Sequence, residues 1–102
     1  MRAANGAASI AIGDEELKVL AVGYLEKRRL AMDGLKCALA TGDFETLWIE
    51  GHHMRGAGGS FGVDRISELG AAIEISAWER DGAGVQERLE QLEDFLAQVE
   101  LR

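Results

Sequence analysis

From residue 14 almost to its end, this chain returns to an apolar or small residue every third or fourth position, and no proline interrupts the pattern. That period belongs to amphipathic helices, whereas half-buried strands alternate every second residue. Glycine and aspartate supply the punctuation. Asp14, followed by Glu15 and Glu16, reads as the N-cap of a helix over about 14–40. Gly42 stops that helix, and Asp43 caps a second over about 44–60, which Gly62 ends. Asp64 reads as the cap of a third helix over about 65–80, the glycines of DGAG at 81–84 as the next turn, and a fourth helix starts near Val85.

The inward stripes follow from the spacing. They are Leu17, Leu20, Ala21, Tyr24, Ala31, Leu35 and Ala38 on the first helix, and Phe44, Leu47, Gly51, Met54 and Gly58 on the second. The third carries Ile66, Leu69, Gly70, Ile73 and Ala77, and the fourth Leu89, Leu92, Leu96 and Val99. Four such helices on short turns predict an all-α fold, an antiparallel up-down-up-down four-helix bundle. A chain of 102 residues can bury one modest core, so residues 14–102 are read as one domain. Residues 1–13 are read as a loose tail or a short extra helix. Arg28 interrupts the inner stripe between Tyr24 and Ala31, so its side chain either snorkels out at an edge or is paired inside.

Charge narrows the function. With 18 acids against 11 Lys and Arg, a net −7, the chain is a poor match for nucleic acid or an acidic membrane surface. No stretch reaches the length of a transmembrane span, and Asn5, Gly6 and Ser9 break up any secretory signal. Cys37, the single cysteine, forms no internal disulfide and is read as a small helical filler, which points to a reducing, cytoplasmic setting.

The segment GHHMRGAGGSFG, residues 51–62, carries the chemistry. On a helix, Arg55 lies three residues beyond His52 and Gly56 one turn beyond it. Taking Leu47 as the centre of the buried face, rotation by about 100° per residue puts His52 about 140° away and Gly56 about 180° away. Met54 and Gly58 turn inward. Each interior helical glycine costs about 1 kcal/mol relative to alanine, so a helix holding Gly51, Gly56, Gly58 and Gly59 implies close approach by something. Gly58 lets a neighbouring helix approach, while Gly56 and Gly59 keep the surface bare around His52. His53 has no cation one turn on and reads as a solvated neighbour.

Three other assignments fail on spacing. A dinucleotide fingerprint would need glycine where Phe61 stands, and a nucleotide loop of Walker type would need Gly-Lys-Ser/Thr. Glu50 to His53 matches the Glu-x-x-His of di-metal bundles, but two histidines in all leave no second pair. No metal site is expected.

The second-helix pattern, His52, His53-Met54, Arg55, Gly56, Ala57-Gly58-Gly59-Ser60 and Gly62, resembles the histidine-containing phosphotransfer (HPt) domain family. The resemblance extends to the Gly42-Asp43 break and the run ISELGAAIE at 66–74, covering roughly residues 14–100. Arginine at 55 departs from the commoner lysine, which keeps the charge and changes its hydrogen-bonding geometry. The resemblance implies a phosphocarrier in a multistep relay, with His52 as phosphoacceptor and Arg55 as stabiliser of phosphoryl charge. The partners implied are response-regulator receiver domains and a hybrid sensor histidine kinase. No cofactor is expected in this chain, Mg2+ belonging to the receiver, and neither an ATP site nor kinase activity is expected.

Antiparallel packing would set His52 level with residues near 31–33 of the first helix. Arg28, Arg29, Met32 and Lys36 are therefore candidates for the partner-binding rim, together with Gly56, Gly59 and Trp48, which lies one turn before His52. The competing function is a helical adaptor that binds a receiver or kinase without carrying phosphate. A monomer is expected, and Met1 with the close C-terminal end suggests a stand-alone protein rather than a piece of a hybrid kinase.

Overall fold

In the computed structural model, which describes residues 9–101, the carboxylate of Asp14 accepts hydrogen bonds from the backbone N–H groups of Glu16 and Leu17 and opens α1, Glu15–Ala40. Asp43 does the same for Thr46 at the start of α2, Phe44–Ser60. The helices α3, Asp64–Trp78, and α4, Gly82–Gln98, complete the set. Two starts differ from the sequence reading. Val63, fully buried in the core, occupies the N-cap position of α3 without a side-chain bond, and Asp64 is the first helical residue. Asp81 accepts from the Gly84 N–H, so Gly82 to Gly84 form the first turn of α4, and the bend falls on residues 79–81.

The three helix-to-helix bends share one closure. Asp43, Val63 and Asp81 donate their N–H groups to the carbonyls of Ala38, Gly58 and Ser76, five residues back. The residue before each donor has positive φ, +72° at Gly42, +76° at Gly62 and +56° at Arg80. Glycine takes this conformation freely, whereas a side chain there costs about 1 kcal/mol or more. Arg80 also places its guanidinium 5.0 Å from the Phe44 ring centroid. Both Arg80→Gly and Arg80→Ala remove that contact, but only glycine relieves the backbone. Calorimetry should therefore find the glycine variant more stable than the alanine variant by about 1 kcal/mol.

One core joins all four helices, built on Leu25, Met32 and Leu35 of α1, Leu47 and Met54 of α2, Ile66, Leu69 and Ile73 of α3, and Val85, Leu89, Leu92 and Leu96 of α4. The stripe of α1 is Ala21, Leu25, Met32, Leu35 and Ala38, turned slightly from the expected one. Leu20 is exposed because the buried stripe runs through Ala21 and Leu25, and Leu20 faces away from both. Met32, expected on a partner-binding rim, is instead a core residue at 5 % exposure. Arg28 is largely covered rather than snorkelling, in an ion pair that makes no hydrogen bond. Its Nη1 lies 3.6 Å from Glu50 of α2, beside the Tyr24 ring. Burial pushes the Tyr24 phenol above its ordinary value, against the lowering effect of that cation.

Ser9–Ile10 and Glu100–Leu101 form two short strands, β1 and β2, paired in parallel. Neither a loose tail nor a helix describes residues 9–12. Ile10 packs on the core, Ala11 is exposed and Ile12 is buried, the alternation of a strand. The rest of the segment read as tail or helix, residues 1–8, lies outside the described residues.

Candidate functional site

At the level of His52 the backbones of α2 and α3 almost touch. A Cβ added to Gly51 would sit 2.7 Å from the Glu74 backbone nitrogen and 2.8 Å from the Gly70 carbonyl oxygen. One added to Gly70 would sit 2.7 Å from the Arg55 nitrogen, and one added to Gly58 would sit 2.6 Å from the Ser67 nitrogen. Three glycines thus set the spacing of the two helices that build the site. The Ser67 hydroxyl completes the seam, accepting from the Gly59 N–H at 2.7 Å and donating to the Arg55 carbonyl at 2.8 Å.

This approach brings together a residue the sequence reading did not single out. Glu74, its side chain only 13 % exposed, puts Oε2 2.9 Å from Nδ1 of His52 and Oε1 3.3 Å from Nε of Arg55. An Arg55 Nη2 also lies 3.1 Å from the same Nδ1. Both contacts cannot be hydrogen bonds at once. A carboxylate only accepts and a guanidinium only donates, so Nδ1 either gives a proton to Glu74 or takes one from Arg55. Taking one would set a lone pair against the carboxylate at 2.9 Å, while Arg55 already has Glu74 to donate to. The assignment with the smaller repulsion has Nδ1–H donating to Glu74, with the lone pair on Nε2 and the Arg55 Nη2 standing at 3.1 Å without a bond to the ring.

The ring is framed further by Trp48, which stacks on it at 5.9 Å between centroids and an interplanar angle of 20°. His52 and Arg55 are each about half exposed. Above Gly56 there is open space for 4 Å around the Cβ position, and Gly59 is exposed. His53 is more exposed and stands 4.0 Å from Glu50. Of the other rim candidates, Arg29 donates through Nε to the Leu96 carbonyl and Lys36 pairs with Glu93, both on α4. They belong to the α1–α4 seam. Cys37 is exposed on α1.

Glu74 had a faint signal. It closes the run ISELGAAIE, one turn after Gly70 and beside the buried Ile73. A carboxylate next to the core face of a helix needs a partner.

A histidine held by a carboxylate beside a guanidinium, with the other ring nitrogen not engaged by that carboxylate and bare glycine one turn on, is suited to carrying a phosphoryl group. The family model described as the Hpt domain matches residues 23–101. The chain belongs to the Hpt domain family. Hpt domains are phosphocarrier modules of phosphorelays rather than kinases, and they work with receiver domains and kinases. No curated protein and no solved structure is a significant match to this Hpt chain. No helix among the described residues is long and apolar enough to cross a membrane.

The open space at Gly56 of this Hpt domain makes a separable prediction. Gly56→Ala adds a methyl that meets nothing, so the domain should gain up to about 1 kcal/mol in a thermal melt. The same methyl stands one turn from the imidazole on its approach side, so transfer from a protein donor should slow. Loss of stability would show that the position is not open.

Proposed function

We propose that His52 accepts a phosphoryl group from the aspartate of one receiver domain and passes it to the aspartate of another, as an intermediate of a multistep phosphorelay fed by a hybrid sensor histidine kinase. The single observation that carries this reading is the contact of Glu74 with Nδ1 of His52. It leaves the lone pair on Nε2, the ring nitrogen not engaged by Glu74, and a nucleophile needs a free lone pair.

The step balances on these atoms. The Nε2 lone pair attacks phosphorus, the bond from phosphorus to the aspartate oxygen breaks, and its electron pair stays on the aspartate carboxylate. The ring becomes a phosphoimidazolium, and its Nδ1 proton stays shared with the Glu74 carboxylate. Arg55 offsets charge on the phosphoryl oxygens, and the receiver supplies Mg2+ and its own acidic cluster. The return step reverses these movements at a second aspartate.

The proposal includes an antiparallel up-down-up-down bundle. Contacts that run from Gly51 and Glu74 to Gly58 and Ser67, and from Arg29 and Leu96 to Lys36 and Glu93, support it, since rising numbers on one helix meet falling numbers on the next. It also includes a cytoplasmic setting, where receivers work. The adaptor reading has less behind it, because an adaptor has no use for an oriented imidazole with a cation beside it.

The test is transfer from phosphorylated receivers of the same organism, with acid-labile, base-stable label at His52 as the expected product. Nitrogen NMR of the ring checks the orientation. The Nδ1–H form should dominate in the unaltered protein and in Glu74→Gln, whose amide oxygen still accepts. It should give way to the Nε2–H form in Glu74→Ala. Loss of a charge-assisted bond of about 1.5 to 3 kcal/mol predicts transfer slowed about ten- to a hundredfold in Glu74→Ala. An Nε2–H ring in the unaltered protein would reject the assignment.

A further inference from the structure

Beside the histidine, the start of α2 and the end of α3 enclose a cleft of about 340 Å³ lined by Phe44, Glu45, Trp48, Ala77, Trp78 and Arg80. Trp78 is 75 % exposed, an unusual position for so large an apolar surface. Its ring lies 6.2 Å from that of Trp48, which in turn stacks on His52. By these two separations Trp78 is at most about 12 Å from the imidazole. The Arg80 guanidinium lies over Phe44, both lining the cleft.

The occupant follows from geometry, and this step rests on the phosphorelay reading. A receiver whose aspartyl phosphate reaches His52 must bring the reacting atoms to about 3 to 3.5 Å. A specific interface covers about 800 Å² on each partner, which as a disc has a radius of about 16 Å, so a receiver centred on His52 covers Trp78 as well. We infer that the cleft between Trp48 and Trp78 takes an apolar side chain that the receiver carries beside its phosphoryl aspartate. Tryptophan is the residue type most enriched among interface positions that dominate affinity. The cleft thus selects among receivers that all share the same reacting aspartate.

The experiment charges the protein in two ways. Phosphoramidate delivers phosphoryl groups without a protein surface, and receiver domains phosphorylated with acetyl phosphate deliver them with one. Trp78→Ala should take label from phosphoramidate at the unaltered rate, while its KM for the phosphorylated receiver rises at least tenfold and kcat is kept. Trp78→Phe should recover part of the loss, since an aromatic ring still lines the cleft. An unchanged KM in Trp78→Ala overturns the inference alone, and so does an equal loss from both donors, which would mark Trp78 as structural. If the unaltered protein takes label from phosphoramidate but from no receiver, the phosphorelay reading fails and this inference with it.

Discussion

His52→Gln should abolish phosphoryl acceptance from receivers and from small donors, while His53→Gln should keep most of it. The two histidines are adjacent in the chain, so this pair of variants isolates position from composition. His52 has Glu74 at 2.9 Å on Nδ1, Arg55 beside it and Trp48 stacked on its face. His53 has Glu50 at 4.0 Å and no cation beside it among the described residues. At position 53, an exposed helix surface, stability should move by no more than about 0.5 kcal/mol; at 52 the bond to Glu74 and the stack on Trp48 are altered, so the variant is less stable but should stay folded. The check is label incorporation beside a thermal melt. Equal loss of label in both variants, with both folded, would reject His52 as the acceptor.

Gly70→Ala is the second large effect, and it runs opposite to Gly56→Ala although the substitution is the same. Alanine is favoured over glycine in a helix by about 1 kcal/mol. At Gly70, however, the methyl would lie 2.6 Å from Cβ of Met54, 2.7 Å from the Arg55 nitrogen and 2.8 Å from the Gly51 oxygen. Two of these three are backbone atoms and the third is a Cβ fixed to the backbone, so no rotamer change can move any of them. The helices must separate, and such overpacking costs about 1 to 3 kcal/mol or more. A net loss of about 2 kcal/mol would lower the melting temperature by roughly 10 °C for a domain of this size. The separation also draws Glu74 away from His52, so transfer slows in step with the melt. An alanine variant that melts at the unaltered temperature would show that α2 and α3 do not rely on this contact.

The helices were legible because their signals are local. Asp14, Asp43, Gly42 and Gly62 act within a few residues of themselves, and each does what its position suggests. His52, Arg55 and Gly56 were legible for the same reason, lying within one turn of one helix. Glu74 was not, because its meaning depends on which face of α3 meets α2. That is decided by glycines whose contacts lie some twenty residues away along the chain. Met32 erred in the same direction. Its place near the middle of α1 was read as level with the histidine, but the rotation of that helix is set by Leu25 and Leu35, which carry it into the core. The start of α4 was misjudged because glycine after an aspartate looks like a turn. The Asp81 carboxylate instead anchors the Gly84 N–H and makes that turn helical.

The pairing of β1 with β2 joins residues about ninety positions apart, Ser9 with Glu100 and Ile10 with Leu101. Closing so long a loop carries the largest entropy cost of any contact in the fold, for a reward of two residue pairs. The four helices meet mainly their neighbours in sequence, so by loop-closure cost the strands are expected to pair after α1 and α4 stand side by side. The same order reversed makes them the first contact to open. In hydrogen exchange the amides of β1 and β2 should therefore equilibrate with solvent long before those of α2 and α3, and unzipping there leaves the histidine and its carboxylate undisturbed.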